Sequence, residues 1–90
     1  MTASEPKVLI VDDDRELASL MQAFLSEHGF QSAMEHDGPS GLAAALSGQH
    51  DLALLDVMMP GIDGFELLRR LRETSDLPVL MLTARTESSS

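Results

Sequence analysis

Asp56-Val57-Met58-Met59-Pro60-Gly61-Ile62-Asp63-Gly64 is the stretch on which the fold of this chain turns. The residues before it, Leu52-Ala53-Leu54-Leu55, form an apolar run of the kind that fills a strand buried on both faces. Asp56 ends that run, and Pro60-Gly61 supplies a turn. Asp63, with Glu66 three residues on, has the spacing of a helix capping box. The stretch reads as a strand–loop–helix joint with a carboxylate at the strand's C-terminal end. An earlier run, Val8-Leu9-Ile10-Val11, ends in Asp12-Asp13-Asp14. Two such strand ends in one parallel sheet bring several carboxylates to one edge.

Working outward, Leu17, Leu20, Met21, Phe24 and Leu25 recur at the spacing of an amphipathic helix, which Gly29 closes. Phe30 to Glu35 alternates in polarity and predicts a weaker strand near a sheet edge. Asp37-Gly38-Pro39 opens an Ala-rich second helix closed by Gly48. The third helix, after Asp63, carries Arg69, Arg70 and Arg72 at its C-terminal end, where positive charge suits the helix dipole. Val79-Leu80-Met81-Leu82 is a fourth strand ending at Thr83. Alternating strands and helices mean a doubly wound parallel α/β sheet with helices on both faces. Residues 1–6 read as a flexible N-terminal tail, and 7–90 as one partial domain. The fourth strand is too uniformly apolar for a protected edge, so a further strand and its helices are expected to cover it. Left uncovered, that edge invites self-association.

Composition narrows the function. Ninety residues make one small domain with a limited core. Hydrophobic residues are 43% of the chain, which is globular composition. Six basic against fifteen acidic residues give a formal charge of −9, which argues against direct binding of nucleic acid or anionic membrane. There is no Cys, hence no disulfide framework and no zinc–thiolate site. Met1 to Pro6 lacks the basic-then-apolar order of a secretory signal, and no run reaches membrane-spanning length. The expectation is a soluble, cytoplasmic domain.

In an open α/β sheet, ligands bind beyond the strand C-termini. With the strands as neighbours, spacings of roughly 4.8 Å place Asp12, Asp13, Asp56 and Thr83 within about 10 Å. Two charges about 4 Å apart repel by roughly 4 kcal/mol at an effective dielectric of about 20, a cost that a cation offsets. Carboxylate and carbonyl oxygens are hard ligands and suit Mg²⁺. The plainer reading of Asp12-Asp13-Asp14 is a helix N-terminal acid cluster, with Asp13 as cap and Glu16 at the third helical position. Asp63 reads as structural, the cap of the third helix. His28, His36 and His50 share no metal-ligand spacing and read as surface residues. Met21 and Met81 read as core filler. Met58 and Met59 offer a soft sulfur that a hard ion does not choose.

Val8-Leu9-Ile10-Val11-Asp12-Asp13, Asp56 through Gly64 and Leu80-Met81-Leu82-Thr83-Ala84-Arg85 together resemble the receiver domain of two-component response regulators. The Leu-Thr-Ala-Arg ending and the Asp-Asp-Asp-Arg-Glu-Leu beginning are most similar to receivers of OmpR/PhoB-type winged-helix transcription regulators. The resemblance covers Lys7 to Arg85. It implies a flavodoxin-like (CheY-like) sheet of order 2-1-3-4-5, here 2-1-3-4 with the fifth strand and last helices missing. It implies that Asp56 accepts a phosphoryl group from a sensor histidine kinase. Asp13, Asp56 and the Met58 backbone carbonyl would bind Mg²⁺ directly, with Asp12 acting largely through water. Thr83 would contact the phosphoryl group and signal its presence to a C-terminal, DNA-binding effector domain. The family's fifth strand ends in a Lys that these residues lack, and Lys7 lies at the wrong end of the first strand to replace it. An Asp of ordinary acidity, near 3.9, is already an anion at neutral pH and needs no general base.

Two rival readings stand beside this one. A Mg²⁺-dependent aspartyl phosphatase would use an Asp-x-Asp-x-Thr loop after the first strand, but Asp12-Asp13-Asp14-Arg15-Glu16 has no Thr. A receiver-like interaction module that never signals by phosphate is the other.

Overall fold

The structure, a computed structural model, describes residues 5–82. The elements are β1 (Lys7–Val11), α1 (Arg15–Glu27), β2 (Gln31–Glu35), α2 (Gly38–Leu46), β3 (Leu52–Asp56), α3 (Gly64–Arg72) and β4 (Val79–Leu82). All pairings are parallel, in the order β2-β1-β3-β4, as the alternation of apolar runs predicts. β1 and β3 lie in the middle of the sheet. That position is why their runs are continuously apolar rather than alternating.

Successive residues of β1 serve opposite layers. Val8 and Ile10 pack with Ala18, Met21 and Leu25 of α1 and with Phe30, Leu52 and Leu54. Leu9 and Val11 pack on the other face with Ala45 of α2, Leu67 and Leu71 of α3, and Ala53, Leu55 and Met59. Leu9, Ile10, Val11, Leu55, Leu67 and Leu71 are fully buried. Met81 joins the second layer and Met21 the first, both as core filler. Gly41 of α2 is required by closeness, since a Cβ there would strike the Val11 side chain.

The helix ends follow short-range chemistry, with two differences from expectation. Asp37 Oδ1 accepts from Ser40 N–H at 2.8 Å and Asp63 Oδ1 from Glu66 N–H at 2.9 Å, so both cap as expected. The Glu66 carboxylate, however, takes Arg69 and Arg70 rather than completing a capping box. At α1 the cap is Asp14, not Asp13: Asp14 Oδ1 accepts from Leu17 N–H at 3.0 Å, and Glu16 stands one position earlier in the helix than expected. The cause lies in β1's pairing. Asp12 N–H still donates to Glu35 O at 3.0 Å, which holds Asp12 to the sheet and delays the helix.

The histidines depart from a simple surface reading. His28 is exposed and its Nδ1 meets Phe24 O. His36 is half-buried, 2.9 Å from Asp12 O. His50 is half-buried at the sheet's opposite end, with Nδ1 cut off from solvent and no hydrogen-bond partner among the described residues.

One face is only partly covered. Leu20 and Phe24 of α1 are 65% and 60% exposed, and Leu80 of β4 is 55% exposed. Between them runs an apolar groove of about 420 Å³ floored by Val8, Leu52 and Leu54. β4 pairs with β3 on one side and is an end of the sheet among the described residues.

Candidate functional site

The register of the two central strands builds the site. Val11 pairs with Leu55, so Asp12 and Asp56, each one residue further on, leave the sheet at the same level. Asp13 follows directly. Carboxylate oxygens of Asp12, Asp13 and Asp56 lie within 4.8 Å of one another. Asp12 and Asp56 are 2% and 7% exposed, whereas Asp13 faces solvent. The three acids open into a pocket of about 230 Å³, shared with Asp14, Leu17, Met58 and Leu82.

Local hydrogen bonds fix the two buried acids. Asp12 Oδ1 accepts from Asp14 N–H at 2.9 Å, and Asp56 Oδ1 from Met58 N–H at 3.2 Å. Both turn a carboxylate back onto its own loop, a common use of Asp at a strand end. Because Asp14 is the α1 cap, Asp13 is left free of capping duty. Among the described residues no hydrogen bond holds its carboxylate. Leu82 pairs with Asp56 across β3 and β4 and accepts from Val57 N–H at 2.9 Å. Thr83, expected beside the acids, lies outside the described residues.

The electrostatics differ from those of an ordinary Asp. Burial pushes the Asp56 carboxyl up to about 6, with the Asp12 and Asp13 charges acting in the same direction and the Met58 N–H opposing them. The expectation of ordinary acidity near 3.9 is thus corrected, because desolvation and like charge both disfavour the anion. Asp56 is still mostly ionised at pH 7. Among the described residues no Lys or Arg forms an ion pair with the three acids; the ion pairs belong to Glu66, Arg69, Arg70 and Glu73 on α3. Lys7 sits at the far end of β1.

The donor set fits a small hard cation. Among the described residues three carboxylates converge without a compensating side-chain charge, and the sequence holds no Cys. Of the two neighbouring thioethers, Met59 is buried in the core, and Met58, 58% exposed, rims the pocket. One neighbour escaped the sequence reading. His36 reaches the Asp12 carbonyl from 24 residues away, a contact set by the β1–β2 register and carried by no local motif.

Comparison with known proteins agrees with this geometry. The response regulator receiver domain family matches residues 8–90. The chain is 52% identical over 79 residues to the transcriptional regulatory protein CpxR of Klebsiella pneumoniae, covering 88% of this chain and 34% of that protein. It spans about a third of the length of the curated relatives it matches. The Francisella response regulator 1452 receiver domain superposes with a TM-score of 0.84 at 33% identity, over 92% of this chain and 69% of that one. A chain from the crystal structure of histidine kinase ThkA in complex with response regulator protein TrrA gives 0.84 at 32% identity, over 94% and 74%. No helix among the described residues is long and apolar enough to cross a membrane. A matching motif set, a 2-1-3-4 parallel sheet and relatives that regulate transcription converge on one conclusion: the chain belongs to the response regulator receiver domain family.

Proposed function

We propose that this chain is a phosphoacceptor, taking a phosphoryl group on Asp56 with Mg²⁺ bound among the acids. The observation that carries the reading is the convergence of Asp12, Asp13 and Asp56 within 4.8 Å at the C-terminal edge of the sheet. Asp13 and Asp56, with the Met58 backbone carbonyl, would hold the ion, and Asp12 would act through water. Bound there, Mg²⁺ supplies charge neutralisation for the acids and for the incoming phosphoryl oxygens.

The chain's own part is alignment. An Asp56 carboxylate oxygen attacks phosphorus in line, the new O–P bond forms as the P–N bond of a phosphohistidine breaks, and the donor ring, protonated on its other nitrogen, departs with the electron pair as neutral imidazole. The Met58 N–H, 3.2 Å from Asp56 Oδ1, keeps that carboxylate oriented. A histidine kinase is the donor this reading requires, and a chain with the same fold comes from a structure that pairs such a kinase with a regulator. Thr83 would take the phosphoryl contact that reports its arrival. The output would pass to an effector domain of the kind transcriptional relatives imply. A phosphatase is disfavoured because Asp14 is committed to capping α1 and the loop after β1 has no Thr.

Two variants test the site. Millimolar Mg²⁺ is expected to raise the melting temperature, since a ligand at 100 times its dissociation constant adds about 2.7 kcal/mol. Asp13→Ala is expected to remove that rise, and Asp56→Asn to remove Mg²⁺-dependent labelling by acetyl phosphate. Undiminished labelling in Asp56→Asn would end the proposal.

A second copy of this chain is a further expected partner. Among the described residues nothing pairs with the outer side of β4, and the groove beside it leaves Leu20, Phe24 and Leu80 exposed. Light scattering after size exclusion is expected to show mass rising with concentration in the micromolar range. A monomer throughout, with sharp cooperative unfolding, would count against it.

A further inference from the structure

We infer that His36 is a positioning residue for the acid cluster, acting through the backbone of Asp12. The inference rests on the reading of that cluster as a Mg²⁺ site. His36 is the first residue beyond β2, and its Nδ1 lies 2.9 Å from Asp12 O. A carbonyl oxygen only accepts, so Nδ1 carries the proton and donates. The residue before it, Glu35, accepts from Asp12 N–H at 3.0 Å. Two consecutive residues at the end of β2 therefore hold both backbone polar groups of Asp12.

The carbonyl that His36 holds belongs to the peptide leading into Asp13, and peptide planarity carries that orientation to the next Cα. Asp13 is the member of the cluster with the least support of its own. It faces solvent, it caps nothing, and among the described residues no hydrogen bond holds its carboxylate. Its placement depends on a short piece of backbone pinned at two points. One is His36 on the Asp12 carbonyl, and the other is Asp14 N–H on Asp12 Oδ1. Loss of the first pin frees the Asp12–Asp13 peptide to rotate and moves the exposed carboxylate relative to Asp56. Partners that orient metal-binding groups from behind have this effect, and their removal typically weakens affinity by about 10- to 100-fold.

The test uses Mg²⁺ alone as probe on the full 90-residue chain. His36→Phe keeps a ring of similar size and loses the donor. His36→Asn places an amide N–H at nearly the same distance from the backbone. Mg²⁺ titration followed by amide NMR shifts is expected to show about tenfold weaker binding for His36→Phe and binding within about twofold of the parent for His36→Asn. Ring nitrogen NMR of the parent at pH 8 is expected to show His36 protonated on Nδ1 and bare on Nε2. Unchanged Mg²⁺ affinity in a folded His36→Phe, or an Nε2-protonated ring, would overturn the inference. Should His36→Phe fail to fold, the ring tautomer and the Asn variant decide, and tenfold loss in the latter counts against it. A parent chain that takes up no Mg²⁺ overturns the site reading and this inference together, whereas binding that ignores the Phe substitution overturns this one alone.

Discussion

In metal-free buffer at pH 7, Asp56→Asn is expected to melt higher than the unmutated chain, although it removes the proposed acceptor. Asp56 is 7% exposed and its acidity is weakened from 3.8 to about 6 by burial and by the Asp12 and Asp13 charges. A group whose folded-state pKa is raised binds more protons folded than unfolded. Between pH 3.8 and about 6, stability therefore falls as pH rises; above about 6 the penalty is complete, and below 3.8 it is absent. The rise from 3.8 to about 6 corresponds to roughly 3 kcal/mol, which solvent in the open pocket reduces to about 1–2 kcal/mol. The neutral amide keeps an oxygen for the Met58 N–H and removes the repulsion. In a domain of this size the expected gain is about 4–16 °C, shrinking to nothing as pH drops below 4. Millimolar Mg²⁺ should reverse the order by stabilising only the unmutated chain. Differential scanning calorimetry with EDTA or Mg²⁺ at pH 4 and 7 checks all arms. An Asp56→Asn variant less stable at pH 7 without metal would mean the three acids are already compensated.

The crowding of the acids was legible in the sequence, as was the sheet; the burial that weakens Asp56 as an acid was not. Val8 to Val11 and Leu52 to Leu55 announce central strands because both of their faces are buried, and burial leaves a continuous apolar run. Asp37 and Asp63 announce helix starts because a cap and the N–H it satisfies are three residues apart. The meeting of Asp12, Asp13 and Asp56 was legible too, since parallel strands put their C-termini at one edge. Three things were hidden for one reason. The choice of Asp14 over Asp13 as cap, the reach of His36 to Asp12 and the weakened acidity of Asp56 all depend on how far pairing continues past the last apolar residue. Apolar patterning does not encode that length. Nor does it separate Met21 and Leu25 of α1, which pack on the sheet within the groove, from Leu20 and Phe24, which stand exposed along it.

Gly64→Ala is the substitution expected to damage site and fold together. Gly64 is the first residue of α3, it is buried, and its N–H donates to Val57 O at 3.1 Å. An added Cβ would overlap the Asp56 backbone oxygen and press against Val57 Cα and the tip of Met81, both at 3.0 Å. The Met81 thioether can turn aside. The Asp56 carbonyl and Val57 cannot, because Val57 N–H is bonded to Leu82 O and the Asp56 position is paired with Leu82. Relief must come from the backbone between β3 and α3. Overpacking of this kind typically costs about 1–3 kcal/mol, and here it acts on the residue that carries the proposed acceptor. Unlike Asp13→Ala, which should abolish Mg²⁺ binding with little loss of fold, Gly64→Ala should lower both the denaturant midpoint and the Mg²⁺ affinity. Retention of both would show that α3 can slide away from β3 at no cost, and that the tight joint after Asp56 does not hold the acceptor in place.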